Sequence, residues 1–122
     1  MAQQEHNFQI DYIELPATDI AATKRFYSQV FGWNFQDYGP DYTSFHDGRL
    51  AGGFNTDAHS AGAGGEKTRG TLIVIYATSL EETQRKVTEA GGKIVREIFG
   101  FPGGRRFHFS DPNGNELAVW SE

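Results

Sequence analysis

A short segment occurs twice in this chain, and this repetition restricts the possible folds more than any other feature. Residues 17–25 are ATDIAATKR, and residues 77–85 are ATSLEETQR. In each copy an alternating, strand-like pattern precedes a helical pattern, and Asp19 or Ser79 stands where a helix N-cap is expected. Ser79 and Glu82 also have the spacing of a capping box. The chain is therefore predicted to contain two structurally similar halves.

A second pair of similar segments extends each half. DGRLAGGF at Asp47–Phe54 resembles NGNELAVW at Asn113–Trp120 when position 47 is aligned with position 113, an offset of 66. Four further strands are predicted, at Trp33–Tyr38, Tyr42–His46, Lys93–Phe99 and Arg105–Phe109. The 15 glycines and 10 phenylalanines also favour sheet and tight turns. Each half is thus predicted to be strand, helix, strand, strand, strand.

The length of 122 residues fits one domain. We expect a first βαβββ module at about 7–55, a linker at about 56–69 that is rich in glycine and small polar residues, and a second module at about 70–121. Each module places its helix on one face of its sheet and leaves the other face open. The predicted fold is α+β, with two modules in tandem forming a cup-shaped sheet that carries the helices on its outer face.

Charge and composition exclude several kinds of partner. A formal net charge of −5 gives little support to binding of nucleic acid or of an anionic membrane. The longest apolar stretch, at 71–77, has the length of a strand rather than of a membrane span. The absence of cysteine removes disulfides and sulfur-bound metals. A cytoplasmic location is the expectation.

The segments IELPATDIAATKRFYSQVFGW (13–33) and FHFSDPNGNELAVW (107–120) together resemble the vicinal oxygen chelate superfamily. This superfamily includes glyoxalase I, extradiol dioxygenases, fosfomycin-resistance enzymes and bleomycin-binding proteins. The resemblance covers nearly the whole chain. It implies paired βαβββ modules, a homodimer, and a ligand site inside the cup.

The resemblance also implies four positions for metal ligands, one on the first and one on the last strand of each module. These positions correspond to Tyr12, Gly52, Leu72 and Ala118. Three of the four side chains have no donor atom, and a tyrosine phenol is an uncommon ligand. We therefore expect no metal and no other cofactor. A displaced site that uses Glu14 and Glu116, each two residues from one of these positions, stays open as an alternative.

The predicted cavity lining is mainly aromatic and apolar, which suits a flat hydrophobic ligand. Its members are Tyr12, Glu14, Gly52, Phe54, Leu72, Val74, Tyr76, Arg106, Glu116, Ala118 and Trp120. The alternative for the rings is that they fill the interior or a dimer seam. For Arg106 it is that edge-strand charges discourage sheet-to-sheet pairing.

Three candidate catalytic residues are Glu14, Glu116 and His108, since burial and repulsion can tune such groups for proton transfer. The alternative for the carboxylates is solvation or pairing on the strands. Three functions are left open. The first is a metal-independent protein that binds a small hydrophobic or aromatic molecule. The second is a lyase, isomerase or dioxygenase-like enzyme with a displaced metal site or carboxylate acid/base chemistry. The third is an interaction module whose cup is plugged by its own side chains.

Overall fold

The computed structural model describes residues 6–56 and 71–122, which form eight strands and two helices. In chain order the elements are β1 (Tyr12–Pro16), α1 (Ile20–Phe31), β2 (Asn34–Asp37), β3 (Tyr42–His46), β4 (Ala51–Asn55), β5 (Ile73–Tyr76), α2 (Leu80–Glu89), β6 (Lys93–Phe101), β7 (Gly104–Ser110) and β8 (Glu116–Ser121). The predicted linker lies outside the described residues apart from Thr56.

The strands form two four-stranded sheets with matching topology. Sheet A has the order β1-β4-β3-β2, and sheet B has the order β5-β8-β7-β6. In each sheet the first and last strands of the module pair in parallel, and the other pairs are antiparallel. This arrangement confirms the predicted α+β fold of tandem βαβββ modules. Neither helix in the described part of the chain has the length and apolar run that a membrane crossing requires.

Both helices begin at the predicted caps. The Asp19 carboxylate accepts a hydrogen bond from the Ala22 amide, and the Ser79 hydroxyl accepts one from the Glu82 amide. Helix α1 ends at Gly32, whose φ of 74° lies in the left-handed region that glycine tolerates. Helix α2 ends at Ala90, one residue before Gly91.

Helix α1 packs against both sheets. Its Tyr27 ring lies 5.2 Å from Phe54 of sheet A, and its Phe26 ring lies 5.9 Å from Phe109 of sheet B. Tyr27 also stacks on Trp33 at 4.6 Å. These rings belong to one buried cluster that α2 joins through Leu80 and Val87. The helix-facing sides of the two sheets therefore share one core, and each sheet turns its other side, its open face, away from that core.

The register of β4 corrects one prediction. Gly52 pairs with Ile13 and Phe54 pairs with Leu15, so both lie on the helix side of sheet A, and Phe54 is fully buried. In sheet B the corresponding partner of Ile73 is Leu117. In the structure, Gly52 of the first module therefore corresponds to Leu117 of the second. The sequence alignment matches Gly52 with Ala118, which is one residue further along β8. A slip of one residue moves every side chain to the opposite face of a strand. The prediction that Gly52 and Phe54 line the cavity was wrong.

Candidate functional site

The open face of sheet B, called the B face below, collects most of the predicted site residues. The pairing of β5, β8 and β7 sets Val74 beside Ala118 and Ala118 beside His108, with Tyr76 and Arg106 both beside Trp120. Glu116 lies two residues before Ala118 on the same strand face. The structure therefore brings seven of the predicted residues together. They are Val74, Tyr76, Arg106, His108, Glu116, Ala118 and Trp120.

A histidine–carboxylate pair lies on the B face. His108 is only 7% exposed, and its Nδ1 lies 2.8 Å from Oε2 of Glu116. A carboxylate beside Nδ1 favours the tautomer with the proton on that nitrogen, which leaves Nε2 as the acceptor. Nε2 is buried and has no hydrogen-bond partner among the described residues. The pair has the form of an oriented base whose basic atom is unused.

Two arginines and a phenylalanine lie beside this pair. The guanidinium carbon of Arg96 lies 3.6 Å from the centroid of the Phe99 ring, and that of Arg106 lies 5.4 Å from it. The same ring centroid is 5.8 Å from the His108 imidazole. Neither arginine has a carboxylate within 4 Å in the described ranges. Nε of Arg106 is also buried without a partner there.

Two irregularities in β6 bring these groups onto the B face. The register with β7 shifts between Ile94 and Arg96 and again between Arg96 and Phe99. An extra residue at such a shift reverses the alternation of side chains. As a result Arg96 lies opposite His108, and Phe99 lies opposite Arg106. Sequence reasoning missed Arg96 and Phe99 because a regular strand places them on opposite faces.

The other end of the B face is aromatic. The Tyr76 and Trp120 rings are 5.2 Å apart, and Phe101 lies 6.3 Å from Trp120. Tyr76 is 47% exposed and Val74 is 42% exposed. Two of these rings were predicted to line the site, whereas Phe101 was missed because the predicted strand stopped at Phe99.

The open face of sheet A, called the A face below, carries a separate cluster of hydroxyl groups. The Tyr12 and Tyr42 hydroxyls are 2.5 Å apart, and Tyr42 donates to Glu14 at 2.9 Å. Burial and the hydrogen bonds to Tyr12 and Glu14 raise the pKa of Tyr42 well above the ordinary tyrosine value. Gly53 lies beneath these hydroxyls, since a Cβ there overlaps both of them. Sequence analysis placed Tyr12 and Glu14 at the site but missed Tyr42, which shares their face through the β3–β4 register.

A groove of about 1250 Å³ opens beside the edge strands β1 and β5. Its walls include Val74, Tyr76 and Trp120 of the predicted set, together with core-side residues such as Ile13 and Trp33. Tyr12, Glu14, Leu72, Arg106 and Glu116 are not among its lining residues. Among the described residues, no hydrogen bond or ring contact joins the Tyr12–Tyr42–Glu14 cluster to the B face. The hydrogen bonds of the A-face cluster stay within sheet A, and the ring contacts of Tyr76, Phe101 and Trp120 stay within sheet B.

The sequence matches the Glyoxalase/Bleomycin resistance protein/Dioxygenase superfamily over residues 9–119. The chain belongs to this superfamily. Its relatives include the anthracycline biosynthesis protein DauV of Streptomyces sp. (strain C5), which is 31% identical over 89% of this chain and 45% of that protein. A glyoxylase-like domain-containing protein of Didymella fabae is 30% identical over 91% of each chain. This chain thus spans about half the length of the anthracycline biosynthesis relative.

Solved structures in the superfamily share the fold. A glyoxalase/bleomycin resistance protein/dioxygenase family enzyme from Burkholderia phytofirmans PsJN has a TM-score of 0.76 at 18% identity and covers 92% of this chain and 98% of its own. An E126Q mutant of the fosfomycin resistance protein FosX from Listeria monocytogenes, complexed with Mn(II), has a TM-score of 0.77 at 18% identity over 93% and 90% of the two chains.

The superfamily's metal site does not fit the residues of this chain. The observed register makes Gly53, rather than Gly52, the counterpart of Ala118. The four positions are then Tyr12, Gly53, Leu72 and Ala118, of which only Tyr12 has a donor atom. Glu14 and Glu116 lie in different clusters, bonded to Tyr42 and His108 respectively. Within 6–56 and 71–122 no three His, Asp or Glu side chains lie close enough to hold an ion.

Proposed function

We propose that this chain binds a small hydrophobic or aromatic molecule on its B face, as a homodimer and without the metal used elsewhere in its superfamily. The partly exposed rings of Tyr76, Phe101 and Trp120 are the observation that carries the proposal. Large apolar side chains gathered on a sheet face favour a flat ligand, because stacking adds about 0.5–1.5 kcal/mol per ring pair to the gain from burial.

The residues at the superfamily's metal positions support a ligand site that works without an ion. Gly53, Leu72 and Ala118 provide hydrocarbon or backbone where a metal needs oxygen or nitrogen donors. The named relative in anthracycline biosynthesis supports a polycyclic aromatic compound as the class to test first.

A second copy of the chain would complete the site. Each open face lies on the far side of its sheet from the shared core, and among the described strands β1 and β5 are sheet edges. Tyr12 on β1 and Val74 and Tyr76 on β5 are each more than 40% exposed. Burial of these side chains favours pairing of an A face from one chain with a B face from another.

Tryptophan fluorescence tests ligand binding directly. The chain has two tryptophans, of which Trp33 is buried and Trp120 lies on the B face. We expect an anthraquinone to quench Trp120 and to bind Tyr76→Ala at least about tenfold more weakly than wild type. Tyr38→Ala, which removes another exposed tyrosine from the end of sheet A, is the matched control and should bind normally. Absence of quenching across a panel of polycyclic aromatics would refute the proposal.

The His108–Glu116 pair favours a second candidate function, an enzyme that moves a proton on its substrate, such as a lyase or isomerase. The test is incorporation of solvent deuterium next to the carbonyl of aromatic ketones such as acetophenone. Glu116→Gln should abolish the exchange, whereas Glu81→Gln should retain it, because Glu81 lies on α2 and pairs with Arg105 away from both open faces. Equal exchange with and without the protein would exclude this activity for these ketones.

A further inference from the structure

Within residues 6–56 and 71–122, the B face combines aromatic rings with two arginines that have no carboxylate partner and a histidine nitrogen that has no hydrogen-bond partner. Phe101, Trp120 and Tyr76 provide flat surfaces at one end. His108, Arg96 and Arg106 lie at the other. A ligand that is aromatic but wholly apolar would satisfy the rings and leave the polar end without partners. Buried polar atoms without partners are costly, so these groups favour a ligand that bonds to them.

The two buried nitrogens without a described partner, Nε of Arg106 and Nε2 of His108, indicate which hydrogen bonds the ligand makes. Nε of Arg106 donates only, whereas Nε2 of His108 accepts when Glu116 holds the proton on Nδ1. One ligand oxygen that gives a proton to His108 and then accepts from Arg106 satisfies both atoms. An acidic hydroxyl, that of a phenol or an enol, has this property. A ketone or ether oxygen has no proton to give.

We propose that the B face selects aromatic ligands bearing an acidic phenol or enol and binds them as the oxyanion. This inference rests on the proposed function and names the chemical class of its ligand. The ligand's O–H bond breaks, its proton forms a bond to Nε2 of His108, and the electron pair stays on the ligand oxygen beside Arg106. Glu116 stabilises the resulting imidazolium through Nδ1–H. No oxidant, metal or further reactant enters the step.

The charges around His108 suit this transfer. Glu116 on β8 faces Nδ1, Arg96 on β6 lies opposite on the paired strand, and Arg106 lies two residues away on β7. Val74 on β5 adds no charge. One carboxylate therefore supports the protonated imidazole, and two guanidiniums support the ligand oxyanion.

The Phe99 ring shows that a flat ring fits beside these groups. The guanidiniums of Arg96 and Arg106 and the imidazole of His108 all lie within 6 Å of its centroid. Because Nε2 is buried beneath neighbouring side chains, a ligand hydroxyl reaches it only after a side chain above the imidazole rotates. Rotamer changes of this kind are common at binding surfaces even where the backbone hardly moves.

Two probes with the same ring system test the proposal. 2-Hydroxyanthraquinone has an acidic phenol whose visible absorption changes on ionisation, and 2-methoxyanthraquinone has the same rings and no acidic proton. At a pH below the pKa of the free phenol, we expect 2-hydroxyanthraquinone to bind at least about tenfold tighter than 2-methoxyanthraquinone. We also expect the bound compound to show the absorption of its anion.

Three variants assign the effect to the site. Arg106→Met, Glu116→Gln and His108→Gln should each lose the anion absorption and bind both probes with similar affinity. Arg105→Met is the matched control, since Arg105 lies on the other face of β7 and pairs with Glu81 at 2.7 Å; it should behave like wild type. If His108→Gln does not fold, the partly exposed Arg106 and Glu116 variants decide the test.

The outcomes separate this inference from the proposed function. Equal binding of both probes, with the neutral spectrum retained, overturns selection of the oxyanion and leaves aromatic binding intact. Failure of both probes to bind or to quench Trp120 overturns both proposals for polycyclic aromatics. An anion absorption that persists in Arg106→Met and Glu116→Gln also overturns the assignment to this site.

Discussion

Single side chains decide how the two modules are joined. The Tyr27 hydroxyl of α1 donates to Oδ2 of Asp111, 84 residues away in the turn between β7 and β8. Asp111 also accepts hydrogen bonds from the Asn113 and Asn115 amides. Burial raises the pKa of Tyr27 well above its ordinary value, and the nearby Asp111 carboxylate raises it further. A neutral phenol at this point is therefore part of the folded structure.

Replacement of Tyr27 by phenylalanine should change how stability depends on pH. At neutral pH we expect Tyr27→Phe to lose about 1–3 kcal/mol of unfolding free energy, because the buried Asp111 loses a donor. The folded-state pKa of Tyr27 is raised, so its contribution is complete below about pH 10 and falls as pH rises above the unfolded value. Urea unfolding at pH 7 to 11 should show the difference between wild type and Tyr27→Phe shrinking above about pH 10.

The exposed Tyr38 provides the control for this measurement. Tyr38→Phe should unfold like wild type at neutral pH. Tyr42 and Tyr76 also have raised pKa values, so their contributions to the free energy of unfolding fall at alkaline pH as well. This loss is the same in wild type and in Tyr27→Phe, and it cancels in their difference. A Tyr27→Phe protein whose deficit stays constant up to pH 11 would contradict the account of Tyr27.

The turn between β7 and β8 fixes the start of helix α1. Oδ1 of Asn113 accepts from the Thr18 amide at 2.7 Å and from the Asp19 amide at 3.3 Å. Its Nδ2 donates to the Thr23 hydroxyl at 2.8 Å. One buried amide therefore satisfies free donors at a helix N-terminus in the other module.

Loss of this amide should weaken the junction between the modules. We expect Asn113→Ala to lower the unfolding free energy by about 1–3 kcal/mol, since the Thr18 and Asp19 amides and the buried Thr23 hydroxyl lose their shared acceptor together. Amide hydrogen exchange should become faster in the first turn of α1. Asn34→Ala, at an exposed position on β2, should leave both measurements within error. Unchanged exchange at Thr18 and Asp19 in Asn113→Ala would show that the turn does not hold the helix.

Local patterns in the sequence predicted the elements well, but they could not predict every face. The caps at Asp19 and Ser79 and the strand at Tyr42–His46 are found as predicted, because capping and alternation are local properties. The face of Phe54 depends on how β4 aligns with β1, which is set by pairing across the sheet. The position of Phe99 depends on shifts within β6 that alternation does not reveal.

At the scale of the whole molecule, sheet B carries exposed apolar side chains on an edge strand. Val74 and Tyr76 of β5 are both more than 40% exposed, and in the part of the chain that the structure describes β5 pairs only with β8. Unprotected edges of this kind favour association with another chain. The proposed homodimer accounts for this edge, whereas a monomer leaves it in water.

Substitution of an exposed β5 residue by a charged one tests whether the protein is a dimer. We expect the wild-type protein to sediment as a dimer and Val74→Glu to sediment mainly as a monomer, because a carboxylate buried in an interface lacks a partner. Val95→Glu is the matched control, since Val95 is an exposed valine on β6, at the opposite edge of sheet B, and should leave the dimer intact. Sedimentation velocity at several concentrations separates the two states. A wild-type protein that stays monomeric throughout would contradict the homodimer.

The register shifts of β6 determine which of its side chains lie on the B face. Between Arg96 and Phe99, one additional residue directs Ile98 to the core and Phe99 to the B face. Deletion of that additional residue would leave Phe99 opposite Arg106, because the partners on either side of the shift stay the same. A register shift displaced by one position along β6 would instead turn a neighbouring side chain toward the B face, while β5, β7 and β8 kept their pairing. A change confined to one outer strand is therefore enough to alter what the B face presents to a ligand, with no substitution in the buried interior.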